Sequence, residues 1–520
     1  MHVIIPMAGH SRRFAARGQK GPKALLTVGN MPMIAHAIGM FSDSDIFHIV
    51  INELQVLEVP DLAMQLATLS RRVSVTVIPP HELGPAYSAL QVEGIGEEEE
   101  VIISYCDFTV QWDYARFLRH ANGFDGAIPS FIGFHPASFG NTFYAYMRTD
   151  GDRFLELREK RSFTADRTQE HASTGTYYFA RWELFRHYAK RLLAKKDKTL
   201  PEAYVSLLFN DMAADGCQIV VHPVERFICL GTPEDYDQYQ YWYQYTRRLS
   251  TGNIPQVKGP VHRVNLVPMA GAGSRFREYG YRVAKPLIQV NNMPMLVRAA
   301  SSMPEAESWI FMLREQDLER CPIERTLKRA VPDCKVVPVS QLTSGQAATC
   351  LLAAELIPDS AELMIASCDY EHRYHADTWQ RIRDDPTIDG AIWTYRMGSI
   401  QTKKPEAFAY CRTTPDGISV AEVIEKRTIS AHPECDPMVV GTFWYRRAGD
   451  FKRGARMMIE KGITVNSEHY VGTSINCLLA EGARFVIFDV EQWVSFGDPF
   501  ELKLFEYWSE YFETEIEAPN

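Results

Sequence analysis

The sequence predicts an α/β protein built as two tandem domains, each a mostly parallel mixed sheet with helices on both faces. Three observations lead there. Short apolar, β-rich runs alternate with helical stretches. The chain repeats itself at an almost constant spacing. Loops of small and charged residues follow the predicted strands, at the carboxyl ends where such sheets collect ligands.

The elements of the first copy can be justified in order. Val3-Ile4-Ile5 is a short, fully apolar run, as a strand buried on both faces requires, and a loop follows it. Met33 to Phe41 reads as an amphipathic helix. Ile46 to Ile51 is strand-like, Asp61 to Ser70 helical, Val73 to Ile78 strand-like and Pro85 to Gln91 helical. Val101-Ile102-Ile103-Ser104 is a further buried strand leading to Asp107. Its counterpart in the second copy, Leu363 to Cys368, leads to Asp369.

The repeat is read from identities. Pro6-Met7-Ala8-Gly9 recurs as Pro268-Met269-Ala270-Gly271, Arg13-Phe14 as Arg275-Phe276, Lys23 as Lys285, and Cys106-Asp107 as Cys368-Asp369, all at a spacing of 262. Glu159-Lys160-Arg161 recurs as Glu425-Lys426-Arg427 and Gly175-Thr176 as Gly441-Thr442, at 266. A drift this small excludes chance similarity, and the period is far longer than a solenoid unit. The expected division is a domain over 1–248, a Gly-, Pro- and polar-rich linker over 249–262, and a domain over 263–520.

Composition narrows the ligand. The chain has 520 residues, 46% of them hydrophobic, and Lys+Arg 55 against Asp+Glu 65 leaves a net charge of −10. A general grip on a nucleic acid polymer is thereby disfavoured, while a local basic pocket for one nucleotide stays open. No two of the 10 cysteines form a Cys-x-x-Cys pair, so neither a zinc knuckle nor a disulfide framework is expected. No apolar run approaches the length of a membrane span, and the expectation is a soluble, cytoplasmic protein without a membrane partner. The oligomeric state is not written in the sequence.

Within each copy, charged and small residues gather after the first strand. In the second copy Ala270-Gly271-Ala272-Gly273-Ser274-Arg275-Phe276 precedes Lys285-Pro286; in the first, Ala8, Gly9, Arg13 and Lys23 stand in register. Small residues let backbone N–H groups approach phosphate oxygens, and arginine adds a planar, permanently charged fork. A glycine at a strand end also serves as a plain turn. No Gly-Lys-Ser/Thr follows, and Arg275-Phe276 occupy the place where a dinucleotide fingerprint needs its last glycine. Asp107 and Asp369 are the candidate metal ligands, because Mg²⁺ takes one or two carboxylates plus phosphate oxygens; a helix cap is the competing role for such an Asp. Cys106 and Cys368 read as small core residues.

Gly-x-Gly-x-Arg-Phe followed by Lys-Pro after a first strand resembles the signature of the nucleotidyltransferases, the sugar-phosphate nucleotidylyltransferases and their cytidylyltransferase relatives. The resemblance covers both copies nearly end to end and implies Rossmann-like, glycosyltransferase-A-like domains. It implies Mg²⁺-dependent transfer of a nucleoside monophosphate from an NTP to a phosphorylated sugar or polyol, with release of pyrophosphate, for a surface polysaccharide precursor. Carried over residue by residue, it assigns Arg13 and Arg275 to the departing pyrophosphate, Lys23 and Lys285 to the α-phosphoryl group, and Lys160 and Lys426 to the acceptor phosphate. It places Gly84, Gly345 and Gln346 beside the nucleobase, with Ala8, Gly9, Ala270, Gly271 and Gly273 at the phosphates. It assigns Glu159, Glu425, Gly175 and Gly441 to the acceptor side. Close helix packing is the competing reading of Gly84 and Gly345, and a solvated surface run that of Glu-Lys-Arg.

The chain departs from that pattern. Ser11 stands where the second copy has Gly273, Ala24 follows Lys23, and Pro85 stands opposite Gln346. Where many relatives have a second metal-binding Asp, two residues before a late Gly, this chain has Cys229 and Ser495; Glu225 and Glu491 recur four residues earlier as candidates to substitute. An alternative therefore stands beside two active domains: one active domain with a degenerate N-terminal copy as a regulatory or assembly module. A glycosyltransferase of the same broad fold ranks last, because Asp107-Phe108-Thr109 and Asp369-Tyr370-Glu371 lack an Asp-x-Asp motif.

Overall fold

The computed structural model describes residues 1–195, 202–247, 263–398 and 404–517. It divides into two compact units, Met1–Gln244 and Tyr245–Asn520. The linker expected over 249–262 lies outside the described residues.

The first unit is built on a ten-stranded mixed sheet. Its parallel part runs Val73–Ile78, Ile46–Asn52, His2–Pro6, Val101–Ser104, with His2 opposite both Ile46 and Val101. These strands are apolar on both faces because both faces are covered. Val3 and Ile5 enter one core and Ile4 the other, and all three are fully buried. Beyond them Thr176–Phe179 pairs antiparallel with Val101–Ser104, and Gly126–Phe131 follows with Ile219–Pro223 parallel to it. Arg153–Glu159, Ala145–Asp150 and His171–Ser173 complete the sheet.

The second unit repeats this order over nine strands. Lys335–Val339, Ser308–Arg314, Arg263–Met269 and Glu362–Ile365 are parallel, and Met438–Tyr445 turns antiparallel. Gly390–Tyr395 then carries Phe485–Asp489 parallel to it, while Tyr410–Thr413 and Val420–Ile424 form a hairpin against Met438–Tyr445.

The expected strands of the first copy are found within a residue, and the helices are shorter than their sequence patterns. Met33–Ile38, Leu62–Ala67 and Pro85–Ala89 are the helical cores of the longer expected stretches. Glu362–Ile365 ends three residues before the expected Cys368. Glu53–Glu58 is a helix that the pattern did not give. Its six residues are too few to show a period, yet Asn52 and Gln55 form a reciprocal capping box at its start.

Two small hairpin sheets position the site. Phe108–Gln111 pairs with Arg226–Cys229 in the first unit, and Tyr370–Arg373 with Gln492–Ser495 in the second. Each joins the residue after the candidate Asp to the residue two before a late glycine, through Phe108 opposite Cys229 and Tyr370 opposite Ser495. Leu230 N donates to Asp107 O at 2.8 Å and Phe496 N to Asp369 O at 2.7 Å, closing the same turn in both units.

Candidate active site

The first-strand loop has the same backbone in both units despite its different residues. Ser11 adopts the left-handed conformation at φ 49° that Gly273 adopts at 62°. A non-glycine residue there is strained by about 1–3 kcal/mol, and Ser11 Oγ offsets part of this by accepting a hydrogen bond from Lys23 N at 3.2 Å. Ala8 and Ala270 are buried, while Gly9 and Gly271 face open space. In the first unit the buried side chains of Asn52 and Gln55 hold the loop carbonyls: Asn52 Nδ2 donates to Ala8 O at 2.6 Å, and Gln55 Nε2 to Met7 O at 2.9 Å.

The centre of each site is an ion pair. Lys23 Nζ lies 2.5 Å from Asp107 Oδ2, and Lys285 Nζ 2.6 Å from Asp369 Oδ2. Lys285 Nζ also donates to Gly497 O at 3.2 Å. Burial works against the charge of each lysine, but the facing carboxylate and further contributions outweigh it, and both ammonium groups titrate above their ordinary value. Burial likewise opposes ionisation of the aspartates, and the lysine beside each, with the Arg13 or Arg275 charge, holds them below theirs. Arg13 and Arg275 are exposed, and Arg275 Nη1 lies 3.6 Å from Asp498 Oδ2. Cys106 and Cys368 are buried with thiols pushed up to about 12 by burial, as core residues rather than ligands would be.

A second carboxylate stands in each site that the sequence reading missed. Ser495 Oγ donates to Glu501 Oε2 at 2.6 Å, and a Cβ built on Gly497 would lie 3.1 Å from Glu501 Oε2 and 3.5 Å from Asp369 Oδ2. Glu501 and Asp369 therefore flank one glycine. Burial and the neighbouring Asp498 and Asp369 charges raise Glu501 to about 7. In the first unit Cys229 Sγ donates to Asp235 Oδ2 at 3.2 Å and Thr232 Oγ1 to the same oxygen at 2.7 Å, beside Gly231 and Asp107. The available signal was recurrence, since Asp235 and Glu501 stand in register at the spacing of 266. Glu225 and Glu491 do not take this place: Glu225 is exposed and Glu491 pairs with His375 Nε2 at 3.0 Å.

Gly84 and Gly345 are required by the chain itself. At φ 94° and 134°, a Cβ would lie 2.5 Å from Ala203 N and 2.5 Å from His469 N respectively. The close approach of the chain's own loop backbone, at Ala203 and at His469, is thus sufficient reason for both glycines. Pro85 opens the first of these helices, while Gln346 Nε2 donates to Ser367 Oγ at 3.2 Å in the second. Gly175 and Gly441 likewise sit at positive φ against aromatic rings, Phe108 at 3.0 Å and Tyr370 at 3.1 Å.

The Glu-Lys-Arg motif begins where its strand ends. Lys160 and Lys426 hold φ of 57° and 55°, the same unfavourable conformation twice. Each ammonium lies 5.5 Å from a tyrosine ring, Tyr204 and Tyr470. The Glu159 side chain is buried and Glu425 half-buried, and burial raises both, Glu425 to about 7.

Residues 3–195 match the family model of the MobA-like NTP transferase domain. Over this stretch the first unit is similar to NTP transferases, the class to which sugar-phosphate nucleotidylyltransferases and cytidylyltransferases belong. No curated protein sequence matches the chain. Among solved structures, a nucleoside-diphosphate-sugar pyrophosphorylase from Vibrio cholerae RC9 is 17% identical over 46% of this chain and 98% of its own, with a TM-score of 0.39. The inositol-1-phosphate CTP transferase from T. maritima is 14% identical over 49% of this chain and 98% of its own, at 0.38. A UDP-glucose pyrophosphorylase complexed with UDP-glucose is 13% identical over 49% and 100%, also at 0.38. No helix among the described residues is long and apolar enough to cross a membrane.

Proposed function

We propose that the protein comprises two nucleotidyltransferase domains, 1–248 and 263–520, each transferring a nucleoside monophosphate from an NTP to a phosphorylated sugar or polyol and releasing pyrophosphate. Supply of precursors for a surface polysaccharide, in the cytoplasm, is the role this reading entails. One observation carries it: the Lys–Asp pair recurs at 2.5 and 2.6 Å beside a first-strand loop of unchanged backbone, so two diverged sequences keep one charged constellation.

The donor sets suit Mg²⁺, which takes one or two carboxylates and completes its shell with phosphate oxygens and water. Asp369 with Glu501, and Asp107 with Asp235, would hold it; no group of three or more His, Cys, Asp or Glu able to hold a metal occurs among the described residues. When bound, the ion supplies charge neutralisation to the triphosphate.

An anionic acceptor phosphate needs no general base, so the work of the protein is positioning and charge stabilisation. Lys23 and Lys285 release their aspartates when the triphosphate arrives and turn to the α-phosphoryl group. Arg13 and Arg275, exposed at the mouth of the loop, neutralise the pyrophosphate as it departs. Lys160 and Lys426 guide the acceptor phosphate, and Glu159 and Glu425 bind its hydroxyls.

The test is pyrophosphate release across the four NTPs and a panel of sugar 1-phosphates and polyol phosphates, comparing wild type with Asp107→Ala and Asp369→Ala. Each substitution should remove about a hundredfold or more of one domain's turnover. If neither lowers release with any responsive pair, the assignment fails. If only Asp369→Ala does so, the degenerate-copy alternative replaces it; Pro85 facing Gln346 across the repeat is the observation on its side.

A further inference from the structure

The two units treat the acceptor-side glutamate differently. In the first, Ser206 Oγ donates to Glu159 Oε2 at 2.5 Å and Lys160 Nζ lies 3.7 Å from Oε1, so both carboxylate oxygens have partners within the protein. The equivalent of Ser206 is Gly472. The register is secured by a shared bracket: Asn210 bonds both backbone groups of Leu157, and Asn476 those of Val423. A Cβ at Gly472 would overlap Glu425 Oε1 and lie 2.9 Å from Val423 Cγ1. Glycine here therefore clears the space that the carboxylate occupies. Lys426 is turned away, its Nζ donating to Ala407 O at 2.5 Å. Among the described residues Glu425 makes no hydrogen bond or ion pair, although it is half-buried just past the end of Val420–Ile424 and against Gly472 in Val471–Leu479.

A half-buried carboxylate that the protein gives no donors is only partly solvated, and a ligand that brings donors to it gains the missing hydrogen bonds. We propose that the C-terminal domain takes an acceptor presenting two adjacent hydroxyls, a vicinal diol, to both oxygens of Glu425. The N-terminal domain, whose Glu159 is already engaged, takes an acceptor that relies on at most one such contact. The two domains then act on different phosphorylated acceptors, and position 206/472 is the residue pair that separates them. This rests on the transfer reaction proposed above.

The experiment reads each domain in the full chain, the C-terminal one in Asp107→Ala and the N-terminal one in Asp369→Ala. The probes are hexose 1-phosphates and alditol phosphates, each with its single-deoxy counterpart. Loss of one hydroxyl of the diol should lower kcat/KM about a hundredfold in the C-terminal domain and less than about tenfold in the N-terminal one. Gly472→Ser should bring the C-terminal ratio down to the N-terminal level, with the KM for NTP within about threefold. Ser206→Gly, which empties space rather than filling it, should raise the N-terminal ratio without disturbing folding. Equal discrimination in the two domains, or ratios unmoved by both exchanges, overturns the inference while leaving the transfer reaction standing. Absence of pyrophosphate release from any pair sinks the transfer reaction. Calorimetric titration of the same phosphates then decides the inference: Glu425→Gln must weaken binding of the diol more than of its deoxy partner, and equal weakening overturns it.

Discussion

Replacing Gly345 by alanine separates a glycine required by the fold from one required by a ligand. At φ 134° and ψ 177° the backbone lies in a region essentially restricted to glycine, which costs another residue about 1–3 kcal/mol. The new methyl group would stand 2.5 Å from His469 N and 2.6 Å from His469 O, both backbone atoms. That segment cannot retreat freely, because His469 N donates to Ser344 O at 2.7 Å and Ala347 N to His469 O at 3.0 Å, on either side of the glycine. Overpacking against a fixed wall adds about 1–3 kcal/mol, giving a combined loss near 4 kcal/mol. Peptide-level hydrogen exchange on the full chain is the assay. Protection in the segments flanking residues 345 and 469 should fall by about a thousandfold at 25 °C, with the first unit unchanged. The reciprocal Gly84→Ala, facing Ala203 N at 2.5 Å, should do the same to the first unit only. A loss below about 1 kcal/mol accompanied by collapse of NTP affinity would refute the packing argument and return both glycines to the nucleotide.

Three further outcomes are expected. Lys285→Met should lower stability by about 2 kcal/mol, less than the 3–5 of a fully buried pair, because the lysine and Asp369 side chains remain 19% and 25% exposed. Asp369 is held below its ordinary 3.8 and Lys285 above its ordinary 10.5. The pair's contribution is therefore present between those values, and it is lost as pH falls through the folded aspartate value or rises through the folded lysine value. Urea midpoints of wild type and variant should converge at both extremes. Glu425 is raised from 4.5 to about 7 by burial, with Lys426 opposing, so its penalty is absent below 4.5 and fully developed above 7. Glu425→Gln should accordingly stabilise the second unit by up to about 3 kcal/mol at pH 8 and not at pH 4, by thermal unfolding at both pH values. Lys426→Gly should relieve the φ of 55° and raise stability by about 1 kcal/mol, yet raise the acceptor KM at least tenfold; unchanged acceptor kinetics would remove Lys426 from the acceptor site.

Much of the protein was determined by its sequence alone. A strand apolar on both faces, such as Val3-Ile4-Ile5, admits only a covered sheet, and a repeat whose spacing drifts from 262 to 266 admits only duplication. Arg13, Lys23, Asp107 and their second-copy partners were legible because identical charges in register are not expected of drifting surface positions. The short helix Glu53–Glu58 was not, since six residues carry no period and only its capping box marked it.

Tertiary structure alone decided which atoms meet. Asp235 and Glu501 lie far along the chain from Asp107 and Asp369, and the hairpin sheets Phe108–Gln111 with Arg226–Cys229 and Tyr370–Arg373 with Gln492–Ser495 bring them into one site, Glu501 and Asp369 around Gly497 and Asp235 on Cys229 beside Gly231 and Asp107. Ser11 looked like a departure from Gly273, but the loop imposes the left-handed backbone on both and Lys23 N stabilises the serine. Gly84 and Gly345 looked like room for a base, and the wall they accommodate is the chain's own backbone at Ala203 and His469. Ser206 and Gly472 sit in register without distinction in the sequence; only packing shows that the serine donates to Glu159 while the glycine makes room for Glu425 and gives it no donor. Residue type and spacing carry charge, size and periodicity, whereas the pairing of donors with acceptors across distant segments is set by the register in which the strands close.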